Sequence, residues 1–522
     1  MLTKLFRKGF ILFGIMLLMM GCSGNSDAVS GNSGQAETNK VLKFGLAAEP
    51  DTMDPYVQNG THGRTMKLSI FRGLYNYNEE GVLEPELAES HTVNDELTAY
   101  TFKLREAKFH NGDAVTPEDV KFTFDRMQEE SSKATFKTEL SIIDNITVDN
   151  EDTVTFHLKE PSAPFIHYLA IPESVIVSKT WLEENGDTID TNPMGAGPFK
   201  FVSWNEGRDF TVEKFEDYYE ESEPKLDQIQ FIFYSDENTR VNALRAGDVD
   251  LIESVPWKDL DSIEQNDALK VESVNGPFMG LQFNTKSGPF SEPKVRQAIA
   301  YAIDRQTVIN TAFSGRGEAI YGMAVPEGYM GYDEQYANYF EHDKEKAKQL
   351  LAEAGYPNGF DATLLSTSQY GFHEQTAVAV QAELKEVGIN LELVLPDWAT
   401  RINKNLEGDY EMLVVGTSGD ITDGEWLSNF YTGGEVRLNN SAYFDDPQIN
   451  ELLAQGRKEI DPTKREEIYK QLSARAMELS PFVYLMYREQ SYAMTDKVTG
   501  FKNMPGFLSF QSGMTLENTD IE

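Results

Sequence analysis

Between Ala362 and Gly416 the chain orders a short apolar segment, an amphipathic helix and two more apolar segments. That order restricts the fold more than any other feature. Ala362 to Ser366 has strand composition. Glu374 to Val387 places Ala377, Val380, Leu384 and Val387 on one helical face and ends at Gly388. Ile389 to Leu395 is a second strand. A strand, a crossover helix and a strand make a β-α-β unit, whose strands pair in parallel. Tyr410 to Gly416 (YEMLVVG) adds another strand, followed directly by Thr417, Ser418, Gly419 and Asp420. Ligands of open α/β sheets gather at the carboxyl ends of strands, so chain order makes Asp420 a ligand candidate. A turn aspartate capping the loop is the competing reading.

The rest of the body alternates strands and helices. Val41 to Leu46 and the dense apolar run Ile229 to Tyr234 read as strands. Thr98 to Arg105 and Thr153 to Lys159 alternate apolar and polar residues, the pattern of half-buried antiparallel sheet. Pro117 follows Thr116 as helix start and N-cap, with Val120, Phe124 and Met127 on one face. Lys294 to Ile309 predicts one continuous helix, and Asp343 to Ala354 another that stops at Gly355. The 522 residues suffice for two to four core units. Acidic residues number 85 against 46 basic ones, a formal charge of −39. Such a field repels phosphate backbones, so a nucleic-acid partner is excluded.

The N-terminus sets the compartment. Lys4, Arg7 and Lys8 precede the apolar run Phe10 to Met20, which is too short to span a bilayer and fits a secretory signal. Leu18-Met-Met-Gly-Cys22 resembles the lipobox of bacterial lipoproteins, whose cysteine is acylated and becomes the new N-terminus. Cys22 is the only cysteine, so no disulfide framework and no thiol nucleophile are expected. Residues 1–21 are thus a lipoprotein signal peptide, and 22–40 a lipidated cysteine with a small, polar, flexible tether. The body lies on the extracytoplasmic face of the cell membrane, tied to it by lipid such as palmitate.

No catalytic or cofactor motif emerges. None of the seven histidines is spaced for a His-Glu-x-x-His zinc site. There is no Gly-x-Ser-x-Gly elbow and no phosphate loop. Gly195-Ala-Gly-Pro198 is not a dinucleotide fingerprint, and the acids of Asp420 to Glu425 have the wrong spacing for a calcium loop. No cofactor and no metal are expected.

Several segments in order resemble the bacterial extracellular solute-binding proteins of the peptide/nickel type, family 5. They are Ala48-Glu-Pro-Asp-Thr-Met-Asp-Pro55, Phe71-Arg-Gly-Leu74, Leu83 to Ser90, and Tyr100-Thr-Phe-Lys-Leu-Arg105 with Lys108-Phe-His-Asn-Gly-Asp113 and Glu118 to Phe124. Further on come Gly195 to Lys200, Asp217-Tyr-Tyr219, Phe283-Asn-Thr285, Val295 to Ala298, Ala302-Ile-Asp-Arg305, and Glu459 to Arg465. The resemblance implies an α/β, two-lobe periplasmic-binding-protein-like clamp of type II, peptide-binding class, with an extra α+β subdomain in lobe I. Lobe I is placed at 41–282 with a return at 486–522, the subdomain at about 58–190, and lobe II at 283–485.

The same resemblance implies a lipoprotein receptor, not an enzyme, that binds peptides in an interlobe cleft. It would deliver them as a monomer to the permease subunits of an ABC transporter. Peptide-binding members hold the ligand's ammonium with an aspartate in Gly-Trp-x-x-Asp, which here matches Gly416-Thr-Ser-Gly-Asp420 with Thr417 in place of Trp. The segment Ser366 to His373 lacks the arginine that dipeptide-binding members carry there, which favours longer or modified peptides. Asn59, Gly60 and Thr61 match a lobe I loop that contacts peptide. Trp398 and Trp426 are candidate cleft walls, with packing as the alternative. Arg401 and His373 are read first as surface groups, with contact to a ligand carboxylate as the alternative. The other ligand classes open on this fold are glutathione, a nickel chelate, an opine and a sugar. An extracellular hydrolase is the reading from outside the binding class.

Overall fold

Two long strands, Leu269–Phe283 and Phe482–Thr495, organise everything else. They pair antiparallel from Leu269 opposite Thr495 to Gln282 opposite Phe482, and both run through the middle of one eleven-stranded sheet. The structure is a computed structural model and describes residues 39–57, 60–220, 224–434 and 436–522. Lys40–Glu522 forms one compact unit. The expectations for the signal peptide, Cys22, nearly all of the tether and Asn59 lie outside the described residues. No helix among the described residues is long and apolar enough to cross a membrane.

On one side of the long pair the sheet continues through Leu251–Glu253, Val41–Leu46, Gln228–Phe233, Asp209–Lys214 and Phe199–Asn205. Val41–Leu46 is parallel to both of its neighbours. On the other side lie Met412–Thr417, Phe360–Leu365 and Ile389–Val394. Here the β-α-β expectation holds. Phe360–Leu365 pairs in parallel with both flanking strands, and the helix Gly371–Lys385 makes the crossover. Each side has its own core. Leu42, Phe44, Ile229 and Phe231 belong to one, and Leu281, Ile299, Leu364, Val380 and Val414 to the other.

A separate four-stranded antiparallel sheet is built from Ala88–Val93, Ala99–Leu104, Thr153–Leu158 and Ile143–Val148. The helix Pro117–Gln128 covers it, started by a capping box between Thr116 and Asp119. Phe156 meets Phe102, Phe124 and Phe165 at ring separations of 5.5, 5.0 and 5.5 Å. These aromatic contacts seal helix onto sheet.

The helix expected over Lys294 to Ile309 is two helices, Pro293–Ala302 and Arg305–Ala312. Ile303 leaves the helical region, and the Asp304 side chain accepts from the Gln306 N–H to start the second helix. The carbonyls freed at the break are not left bare. The buried Arg305 guanidinium donates to the carbonyls of Ala300 and Ile303, and further to Ile320 and Phe340. Apolar spacing alone cannot reveal that interruption.

The Gly195-Ala-Gly-Pro198 segment seals the end of the helix Gly60–Ile70. The Gly197 N–H donates to the Ile70 carbonyl at 2.7 Å. A Cβ at Gly197 would stand 2.6 Å from that oxygen, and one at Gly195 only 2.3 Å. Backbone cannot yield as a flexible side chain does. Gly197→Ala is therefore expected to destabilise the protein by about 1–3 kcal/mol. Thermal unfolding checks this, and an unchanged midpoint would refute the contact.

Candidate ligand cleft

The loop after Met412–Thr417 docks onto the opposite half of the molecule. Thr417 pairs with Phe278 on the long strand. The Ser418 hydroxyl donates to the Phe507 carbonyl at 3.3 Å. Gly419 lies against the Phe507 ring, where a Cβ would come within 2.6 Å. Asp420 Oδ1 accepts from Arg64 Nη2 at 3.0 Å, and Gln511 donates to the Asp420 carbonyl at 3.1 Å. Arg64 belongs to the helix Gly60–Ile70, so this bond joins residues 356 positions apart. The guanidinium also holds Glu173 at 2.8 and 3.2 Å. Arg64 and Glu173 are 3% and 4% exposed, whereas the Asp420 side chain is 25% exposed. Burial pushes the Glu173 carboxyl up, and Arg64 offsets part of that rise. Gly60 opens the Arg64 helix at a positive φ of 70°, and Thr61 beside it is half-buried.

A second cluster gathers Trp398, His373 and Arg401. The Trp398 ring stands 5.1 Å from Tyr370 and 5.5 Å from His373. Arg401 lies 4.9 Å from the Trp398 ring centre. Surface placement of Arg401 and His373 is overturned, since each is only 2% exposed. The helix Trp398–Glu407 buries Arg401 and Asn405, one turn apart. Its polar stripe faces inward because both side chains serve carbonyls. Arg401 donates to Val414 at 2.8 Å and Asn405 to Leu438 at 2.8 Å. Burial, then Arg401 and Arg488, push the His373 imidazole down to about 3, so the ring is neutral.

Arg488 is the residue that sequence reasoning misses. It sits on the long strand Phe482–Thr495, half-buried. Its guanidinium lies 5.5 Å from the Phe372 ring centre and 5.6 Å from that of Phe510. Among the described residues no hydrogen bond or ion pair reaches it, and Nε is buried without a partner. Burial pushes it down to about 10. A single cation in a strand of mixed polarity carries no signal that would single it out.

Trp426 is a core residue, 2% exposed and packed on Phe507, Phe430 and Phe278 at 4.8, 5.2 and 6.2 Å. The other acids of the 420–425 loop are spent on arginines. Asp423 takes Arg465 bidentately at 2.7 and 2.8 Å. Glu425 takes Arg457 at 2.8 Å and the Tyr469 hydroxyl at 2.9 Å. The same region touches the opposite half again. The Thr422 N–H donates to the Tyr77 hydroxyl at 3.3 Å, and the Ala163 N–H to the Arg457 carbonyl at 2.7 Å.

Two α/β halves joined through two shared strands, closed on each other through ion pairs and aromatic contacts, define a two-lobe binding clamp. The middle-region model of the bacterial extracellular solute-binding proteins, family 5, matches residues 82–437, and the chain belongs to this family. It is therefore the solute-binding component of an ABC importer, acting outside the cytoplasm, and not an enzyme. The chain is 30% identical over 528 residues to the glutathione-binding protein GsiB of Escherichia coli K12, covering 99% of each. It is 55% identical to the binding protein AgaA of A. tumefaciens R10, solved with agropinic acid. That match has a TM-score of 0.84 and covers 92% of this chain and 99% of that one. The peptide-bound DppA of Helicobacter pylori, solved with STSA, matches at 26% identity and a TM-score of 0.80, covering 93% and 98%.

The buried Asp423–Arg465 pair yields a prediction. Burial opposes the charged form, but Arg465 and His167 hold the Asp423 carboxyl below its usual value. The pair's stabilisation is thus present above the ordinary carboxyl value near 4 and is lost as pH falls through the lowered folded value. Asp423→Asn is expected to cost about 3–5 kcal/mol at neutral pH. The cost should shrink as pH falls below the ordinary carboxyl value near 4 and through the lowered folded value. Denaturant unfolding at neutral and acid pH checks both parts.

Proposed function

We propose that this protein is the lipid-anchored receptor of its importer and that its solute is a compact, amino-acid-derived acid of the opine or glutathione kind. The Glu173–Arg64–Asp420 chain of charges carries the reading. A peptide held by its ammonium needs an aspartate free to receive it. Here Asp420 already accepts from Arg64 at 3.0 Å. Diverting it would leave a guanidinium that is 3% exposed with one partner fewer, and breaking a buried pair costs about 3–5 kcal/mol. Thr417 stands where peptide-binding members carry Trp, which removes a platform for a peptide backbone. The solutes named for AgaA and GsiB, agropinic acid and glutathione, support the same class.

The peptide reading stands second, on a specific observation. Asp420 keeps 25% of its side chain exposed, and Arg64 uses only Oδ1. A ligand ammonium on Oδ2 would complete the site without displacing Arg64. Calorimetric titration of the full chain with agropinic acid, glutathione and the peptide STSA separates the two. The first reading expects one of the two acids to bind at least about tenfold tighter than the peptide, about 1.4 kcal/mol. Tighter peptide binding selects the second, and no binding at all refutes both.

The lobes follow the boundaries given by the resemblance, 41–282 with 486–522 and 283–485, with the subdomain over about 58–190. Binding closes them, and a monomer presents the loaded clamp to the permease. Cys22 carries the lipid. Cys22→Ser is expected to move the protein from the membrane to the soluble fraction on cell fractionation. Retention in the membrane pellet would remove the anchor.

A further inference from the structure

The buried arginines of this protein follow a pattern that the half-buried Arg488 does not share. Arg240 donates to the carbonyls of Glu253, Tyr234 and Ser254. Arg296 donates to those of Leu479, Ser480 and Phe290. Arg305 serves Ile320, Ile303 and Phe340, and Arg401 serves Val414. Arg64 and Arg465 instead hold carboxylates. Each guanidinium taken from water thus receives oxygen in exchange, as the cost of burying an unpaired charge requires. Arg488 receives none among the described residues.

Its surroundings do not explain it as a packing residue. Phe372, on the crossover helix Gly371–Lys385, and Phe510, in the returning C-terminal segment, lie 5.5 and 5.6 Å from it. The two rings fix the fork in place from opposite halves of the molecule. His373 is chain neighbour to Phe372 and feels both Arg401 and Arg488. No carboxylate offsets the burial of Arg488. In a chain with 85 acids against 46 bases, a cluster of two guanidinium groups and a buried imidazole without an acid is a local reversal of sign.

We propose that Arg488 is the receptor for the solute's carboxylate, held ready by Phe372 and Phe510 and completed only when ligand enters the closed clamp. A carboxylate offers the two coplanar oxygens that the guanidinium fork matches. The assignment rests on the acid-binding reading of the cleft and deepens it. It places the solute's carboxylate at the crossing strand, on the side of the cleft where Phe372 and Phe510 meet.

The test uses matched acids and amides on the full chain: agropinic acid with its amide, and glutathione with its glycine amide. Wild type should prefer the acid roughly 10- to 100-fold in at least one pair. Arg488→Met should abolish that preference, and Arg488→Lys should restore part of it, keeping charge without the fork. The ligand-free Arg488→Met protein should melt at or above the wild-type temperature, because the change removes an unpaired charge. An acid preference that survives Arg488→Met overturns the proposal. So does a lowered melting temperature with acid and amide binding lost equally. Wild-type binding of amides as tight as acids overturns the Arg488 assignment alone and leaves the solute reading standing. Failure of all four compounds to bind overturns both.

Discussion

The antiparallel pairing of Leu269–Phe283 with Phe482–Thr495 is the constraint on which the molecule depends. Both halves of the sheet share backbone there, since among the described residues Val41–Leu46 and Met412–Thr417 are linked within the sheet through this pair. The pair is regular at both ends and irregular in the middle. Its register shifts between Asn275 and Phe278 and again between Met279 and Gly280. Such bulges bend a strand and raise its twist, so the two halves of the sheet need not lie in one surface. Glycine serves the same stretch. A Cβ at Gly276 would stand 2.0 Å from the Gly506 carbonyl oxygen, and one at Gly280 would stand 2.1 Å from the Phe482 ring. The returning segment 503–516 can lie against the crossing only because Gly276 is bare, and the two long strands pack there only because Gly280 leaves room for Phe482. Arg488, Phe507 and Phe510 reach the cleft from that arrangement.

Closure adds contacts that the crossing strands alone would not supply. Arg64–Asp420, Tyr77–Thr422 and Ala163–Arg457 join the halves at separate points along the cleft. The first is charged and largely shielded, and the others are single hydrogen bonds. Net hydrogen bonds contribute about 0.5–1.5 kcal/mol each, so the charged contact weighs most in holding the closed form. A solute that engages Asp420 or Arg64 therefore acts on the bond that ties the lobes together. On the proposed function, binding and closure are coupled through the same side chains.

Much of the fold was legible because periodicity reports it. The β-α-β unit, the alternating strands of the subdomain and the Thr116 cap all follow from spacing and local chemistry. The break at Ile303–Asp304 was not legible, because Val295, Ile299, Ala302 and Val308 keep helical spacing across it. The break is stabilised by Arg305, whose carbonyl partners at Ile320 and Phe340 lie in later segments. The site divides in the same way. Chain order brought Asp420 to the end of a strand, where it stands. It could not supply Arg64, which comes from 356 residues away. Arg401 and His373 read as surface groups because single polar residues usually are. The structure buries them because carbonyl oxygens and aromatic rings supply what water would.

The charge of −39 takes its meaning from where the cations went. Arginine is scarce relative to acid, yet it fills interior positions where a rigid fork can serve several carbonyls at once, as Arg240, Arg296 and Arg305 do. Lysine would bring a compact point charge that serves fewer acceptors. Lys67, buried beside Arg64, shows the difference, since burial pushes it down to about 8 while it donates to the Val57 carbonyl. Most acids remain outside, where water solvates them and their mutual repulsion keeps the body soluble. An anionic solute approaching this surface meets repulsion until it enters the cleft. At the proposed carboxylate site Arg401 and Arg488 reverse the sign over a short distance, whereas Arg64 is already matched by Glu173 and Asp420. On the proposed function, attraction is confined to the interior of the clamp, so the acidic exterior limits nonspecific capture of anions while the cleft takes one.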